Sequence, residues 1–131
     1  CLGMQLLLDK SVEFGEHKGL GLIPGNVEYL GDSLKNRNNV KIPHMGWNTV
    51  KIKGEHTSER IFESLPKEFD VYFAHSFWIK SLIKDYVFAE TEYADVKFCS
   101  AIKKNNIIGF QFHPENSGLV GIQLLKNIFG N

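Results

Sequence analysis

Apolar and polar positions alternate with two different periods along this chain, and the switches between them outline its elements. Residues 70–77 (DVYFAHSF) form a strongly apolar run of strand type, with His75 and Ser76 at its exit. Residues 86–93 and 95–102 read as further strands, and Lys103-Lys104-Asn105-Asn106 as a hairpin turn into residues 107–112 (IIGFQF). Shorter half-buried strands are expected at 27–30 and 49–53, where apolar and polar residues alternate. Helical spacing is expected at 4–10, at 57–65 behind a Thr57 or Ser58 cap, and at 117–129. The last of these places Leu119, Ile122, Leu125 and Phe129 on one face. Residues 15–25 carry four glycines and Pro24 and read as a loop, and the polar run 32–39 as a turn. Strands and helices alternate to the end, which predicts an α/β or α+β sheet layered with helices.

Composition narrows the function classes. At 131 residues the chain is sized for one domain. Fifteen basic residues against fifteen acidic ones argue against a surface built to bind nucleic acid through bulk charge. No apolar run reaches the roughly 18 residues of a membrane span. Two cysteines, Cys1 and Cys99, are too few for a disulfide scaffold and point to a reducing, cytoplasmic setting. The five histidines form no HxxxH or HxH pair and no CxxC exists, so no metal site is predicted. Gly15, Gly19 and Gly21 do not make a dinucleotide-binding G-x-G-x-x-G. The chain opens on Cys1 without an initiator methionine or a signal-peptide pattern. Two explanations stand: processing that exposes Cys1, or the back part of something longer.

Three clusters carry chemistry. Cys1-Leu2-Gly3 opens the first helical stretch; a thiol there is biased toward thiolate, and the Leu2 N–H points where an oxyanion would develop. An ordinary terminal cysteine is the plainer reading. His113-Pro114-Glu115 follows the apolar strand; residues two apart share a side, so Glu115 reaches the His113 ring and holds its tautomer. A surface turn with an unrelated His and Glu is the alternative. Pro43-His44-Met45-Gly46-Trp47-Asn48 reads as a rigid loop with large apolar side chains, packing either on its own core or on a partner. Cys99, within a strand, is expected to be a small buried residue.

Together these residues resemble the class I, triad-type glutamine amidotransferases, and within them the glutaminase subunits of imidazole glycerol phosphate synthases. Cys1-Leu2-Gly3-Met4-Gln5 matches the second part of the family's nucleophile elbow, G-x-C-L-G-M-Q. Gly109-Phe110-Gln111-Phe112 followed by His113-Pro114-Glu115 matches its catalytic His-Pro-Glu. Gly19-Leu20-Gly21-Leu22-Ile23, His75-Ser76-Phe77 and the loop at Pro43 to Asn48 match in order, so the resemblance runs over the whole chain. It implies a flavodoxin-like α/β sheet with flanking helices that lacks its amino-terminal strands. Residues 1–131 would then be the carboxy-terminal part of a single amidotransferase domain.

The resemblance further implies that Cys1 is the nucleophile, His113 the general acid and base, and Glu115 its orienting partner. Leu2, Gln5, Glu13, His75, Ser76 and Phe77 would line the glutamine pocket. Pro43, His44, Met45, Trp47 and Asn48 would face a (β/α)₈-barrel synthase subunit in a heterodimer that receives ammonia for histidine biosynthesis. No metal or organic cofactor is implied. Two departures accompany this. The elbow's leading G-x and the glycine-rich front segment are absent from the sequence, so the strained turn that presents the thiol is incomplete. Residues 13–18 resemble paralogues that supply ammonia for amidation of surface-sugar precursors about as well. Two other readings stay open beside these: a catalytically silent interaction module, and an amidotransferase with an amino-terminal nucleophile. The second would leave the His-Pro-Glu without a use.

Overall fold

A computed structural model describes residues 1–130. Helix α1 (Leu2–Leu6) begins with Cys1 as its first capping residue and ends after one and a half turns. It is shorter than the pattern over 4–10 suggests, because the chain turns at residues 7–9 to enter strand β1 (Lys10–Ser11). Strands β2 (His17–Lys18) and β3 (Gly25–Tyr29) follow, then helix α2 (Leu30–Leu34), which occupies part of the expected polar turn because Leu30 and Leu34 are buried. The main strands are β4 (His44–Ile52), β5 (Glu68–His75), β6 (Phe77–Leu82), β7 (Val87–Tyr93), β8 (Val96–Lys104) and β9 (Ile107–Phe110). Helix α3 (Gly118–Phe129) ends the described chain. The expected helix over 57–65 is instead one 3₁₀ turn, Arg60–Phe62, which buries Ile61 and Phe62; another 3₁₀ turn, Gly54–His56, precedes the span.

The strands form two sheets, ordered β2-β1-β3-β6 and β5-β4-β7-β8-β9. Antiparallel pairing predominates, and β1 with β3 is parallel. The larger sheet, α2 and α3 close over a core that includes Phe69, Val71, Phe73, Phe88, Phe98, Phe112 and Leu124. A second cluster of Met4, Leu8, Val27, Ile79, Cys99 and Ile102 fastens α1 and the smaller sheet to the first. Each such buried side chain contributes roughly 1.5–3 kcal/mol of transfer free energy. The architecture is mixed α/β, as the interleaved periods predict.

Residues 44–48 are not a loop: they open β4 and pair with His75, Ala74, Phe73, Tyr72 and Val71 along β5. Alternation therefore sends His44 into the core at 3% exposure, while Met45 and Trp47 stand outward at 62% and 60%. On α3 the inward residues are Val120, Gly121 and Leu124, whereas Leu119, Ile122 and Phe129 are exposed. The helix is apolar nearly all round, so spacing alone cannot select the face that packs.

Candidate active site

The ends of three elements meet around Cys1. Met4 anchors α1 against β9: a Cβ on Gly109 would come within 2.9 Å of Met4 Cγ and 3.1 Å of Leu7 Cδ1. This close approach needs glycine at 109 and seats the start of α1 beside the strand that leads to His113. Cys1 and His113 consequently line one open cavity of about 450 Å³, together with Leu2, Gln5, Glu13, Pro43, Met45, Ala74, His75, Ser76 and Phe77. All six residues expected at the glutamine pocket lie on this wall, and Pro43 and Met45 at its rim.

The His113-Pro114-Glu115 segment is held by the edge of β5 and by α3. His113 N–H donates to the Tyr72 carbonyl at 2.9 Å, and Tyr72 N–H donates to Ser117 Oγ at 3.0 Å. That hydroxyl in turn donates to the His113 carbonyl at 2.6 Å. Gly121 lets α3 approach so closely that a Cβ there would lie 1.8 Å from the Pro114 carbonyl oxygen. Fixed this way, His113 Nδ1–H donates to Glu115 Oε1 at 2.8 Å, which leaves Nε2 as the unprotonated nitrogen. Burial raises the Glu115 pKa somewhat, but a backbone N–H and the imidazole outweigh it and hold the carboxyl below its ordinary value. The pair suits a general base whose tautomer is set by a carboxylate.

Cys1 Sγ accepts from two amides: Gln111 Nε2 at 2.9 Å and Gln5 Nε2 at 3.9 Å. Gln5 also donates to the Phe77 carbonyl at 3.3 Å, which ties α1 to the start of β6. Because α1 has only five residues, few peptide dipoles add at its head, so the amide contacts carry more weight at the sulfur than the helix does. The other thiol, Cys99, is buried with its Sγ 3.1 Å from the Ala101 carbonyl, and burial pushes its pKa up to about 12.

Other expected residues are placed differently. His75 reaches the cavity wall, yet its ring is engaged within the core. Its Nδ1–H donates to the Phe77 carbonyl at 2.9 Å, and its Nε2 accepts from His44 Nδ1–H at 2.8 Å. His44 stacks on Tyr93 and Phe73 with centroids 4.0 and 4.8 Å away, so it belongs to the core and not to the outward face of Met45 and Trp47. Asn48 donates to His44 Nε2 at 3.2 Å and to the Glu92 carbonyl at 2.9 Å, again turned from that face. Sequence reasoning did not assign the Gln111 contact to sulfur, although a glutamine inside the apolar run IIGFQF was its available signal. It also missed Ser117 as the clasp between β5 and His113. Among the described residues, no three His, Cys, Asp or Glu side chains gather as a metal-binding group, and no helix is long and apolar enough to cross a membrane.

Comparisons with known proteins give the family. Residues 1–130 match the family described as glutamine amidotransferase class-I. The imidazole glycerol phosphate synthase subunit HisH of Carboxydothermus hydrogenoformans is 48% identical over 128 residues, covering 98% of this chain and 59% of its own length. The same-named subunit of Archaeoglobus fulgidus is 42% identical over 127 residues, covering 97% and 59%. The chain thus spans about 59% of the length of these curated relatives. A crystal structure described as that of a putative GMP synthase subunit from Thermoplasma acidophilum superposes with a TM-score of 0.54. It is 28% identical and covers 70% of this chain and 45% of that one. A Cys, a His–carboxylate pair and a shared cavity, on a chain whose residues match that family from 1 to 130, place this protein in the class I glutamine amidotransferase family.

Proposed function

We propose that this chain belongs to a glutaminase subunit that hydrolyses glutamine and hands the ammonia to a synthase making imidazole glycerol phosphate. The observation that carries the reading is the common cavity of Cys1 and His113, with Glu115 Oε1 2.8 Å from the far side of the imidazole. His113 Nε2 takes the proton of the Cys1 thiol, and the resulting thiolate attacks the side-chain carbonyl carbon of glutamine. The tetrahedral oxyanion collapses as His113 Nε2–H protonates the departing ammonia, leaving a thioester. Water then gives a proton to the same Nε2, adds to the thioester and releases glutamate and the thiolate. Glu115 keeps the imidazole in the Nδ1–H form through both steps. Leu2, Gln5, Glu13, Ser76 and Phe77 contact the substrate, and His75 shapes the wall from behind. No metal or organic cofactor enters the scheme.

The coverage of relatives supports a second part of the proposal. Residues 1–131 are the carboxy-terminal portion of one amidotransferase domain, and an amino-terminal portion completes the sheet. The groove beside β9 is open to receive it, and it is lined by Met4, Leu7, Ile107, Ile108 and Phe110 together with Asn106, His113 and Glu115. The partner is a (β/α)₈-barrel synthase subunit, docked on the face of Pro43, Met45 and Trp47, and the complex works in the cytoplasm.

Separating ammonia production from ammonia use tests the assignment. In the intact complex, Cys1→Ala should abolish glutamine-dependent synthesis while synthesis from ammonium salt at high pH persists, because free ammonia bypasses the thioester step. Loss of both activities with the complex still assembled would overturn it.

A further inference from the structure

Gln111 is a polar residue in an otherwise apolar stretch, and its side chain is fully buried. Its Nε2–H donates to Cys1 Sγ at 2.9 Å, while its Oε1 is buried without a hydrogen-bond partner among the described residues. An unpaired buried acceptor destabilises a fold, so packing alone favours Met or Leu at this position. What the amide adds is its donor at the sulfur. A thiolate can only accept, whereas a thiol brings a proton of its own, so a fixed N–H donor favours the ionised form. The donor is well fixed: Gln111 N–H is bound to the Ser100 carbonyl at 2.9 Å, and the next residue but one, His113, is bound to Tyr72. One short segment therefore registers both the sulfur and the imidazole.

We propose that Gln111 is a further catalytic residue, whose side-chain N–H orients the Cys1 sulfur and holds it as a thiolate, at a cost in stability from an oxygen with no partner among the described residues. The proposal rests on the reading of Cys1 as nucleophile, and the test keeps the two apart. In the intact protein, the rate of Cys1 alkylation by iodoacetamide is followed against pH by mass spectrometry; Cys99, buried among apolar neighbours, stays silent in the folded state. The wild-type profile should have its midpoint well below the ~8.5 of an ordinary cysteine. In Gln111→Met the midpoint should move up by about one pH unit, so that alkylation at pH 6.5 falls about tenfold. Gln111→Glu, which sets a carboxylate beside the sulfur, should raise the midpoint further still. Gln111→Met should nonetheless melt no lower than wild type, a combination that a purely structural glutamine would not produce.

Superimposable profiles for wild type and folded Gln111→Met would overturn the proposal. So would a wild-type midpoint at or above the ordinary value, which requires no variant to fold and would indicate an amide turned with its oxygen toward a protonated thiol. Alkylation of Cys1 that left glutamine hydrolysis intact would instead remove Cys1 from the nucleophile role while the hydrogen bond stood.

Discussion

Two imidazoles in the core, His44 and His75, have every ring nitrogen accounted for only when both are neutral. The Phe77 carbonyl can only accept, so His75 carries its proton on Nδ1 and accepts at Nε2 from His44. His44 then accepts at Nε2 from Asn48. A second proton on either ring sets two donors against each other. Burial lowers the His44 pKa from 6.5 to about 4, and burial together with His44 lowers that of His75 to about 3. Both folded values lie below the unfolded one, so on acidification the unfolded chain takes up these protons first. Stability from the pair is complete above pH 6.5 and is lost as pH falls toward 4 and then 3. The slope approaches about 1.4 kcal/mol per pH unit for each histidine. Urea unfolding at pH 7, 6 and 5 should show this decline, above the range in which most carboxylates titrate. A free energy flat across that interval would rule out the neutral pair. His75 was legible in the sequence only as a pocket residue; its partner 31 positions away was not, because the pairing depends on the β4–β5 register.

The site residues hold their positions through the elements beneath them. Strand β5 offers its edge at Tyr72, Ser117 clasps it to His113, and α3 presses on Pro114 through Gly121. Gly121→Ala, ordinarily a favourable change inside a helix, should here be harmful because its methyl would meet the Pro114 carbonyl. Relief requires α3 or the 113–115 segment to move, so glutaminase kcat should fall at least tenfold and thermal stability should drop by about 1–3 kcal/mol. A variant with wild-type kinetics and melting would show that the segment is not pinned there. Elements with one clear period were legible in sequence: most of β5, β7 and the extent of α3. The turn expected over 103–106 shrinks to Asn105-Asn106 because Lys103 and Lys104 still pair in β8, and the strand expected over 70–77 breaks at Ser76 between β5 and β6. Less legible were those in which two signals compete. Pro43 and Gly46 suggest a loop, yet the pairing of β4 with β5 over eight residues overrides them. Residues 57–65 offer Thr57 and Ser58 as cap candidates but little apolar surface to bury; only the 3₁₀ turn Arg60–Phe62 forms, and neither residue caps it.

At the scale of the whole molecule, apolar surface is distributed unevenly. Met45 and Trp47 project from the outer face of β4, and the Trp47 ring lies 3.7 Å from where a Cβ on Gly118 would stand, next to the 85% exposed Leu119. The ring meets Tyr72 edge-on but has little else to pack against. A tryptophan left this open contributes little to folding and much to whatever covers it. Met45 also lines the Cys1 cavity, so a partner seated on this face would lie beside the outlet for ammonia in the proposed reaction. Trp47→Ala should therefore leave the urea midpoint nearly unchanged. Affinity for the proposed barrel synthase should fall at least tenfold, as expected for the loss of a central aromatic anchor. Hydrolysis should also lose part of its coupling to synthesis, read as glutamate released per imidazole glycerol phosphate formed. Titration calorimetry and a paired product assay measure both. If the variant instead unfolds readily while the surviving protein binds its partner normally, Trp47 serves the fold, and the docking face must be sought elsewhere.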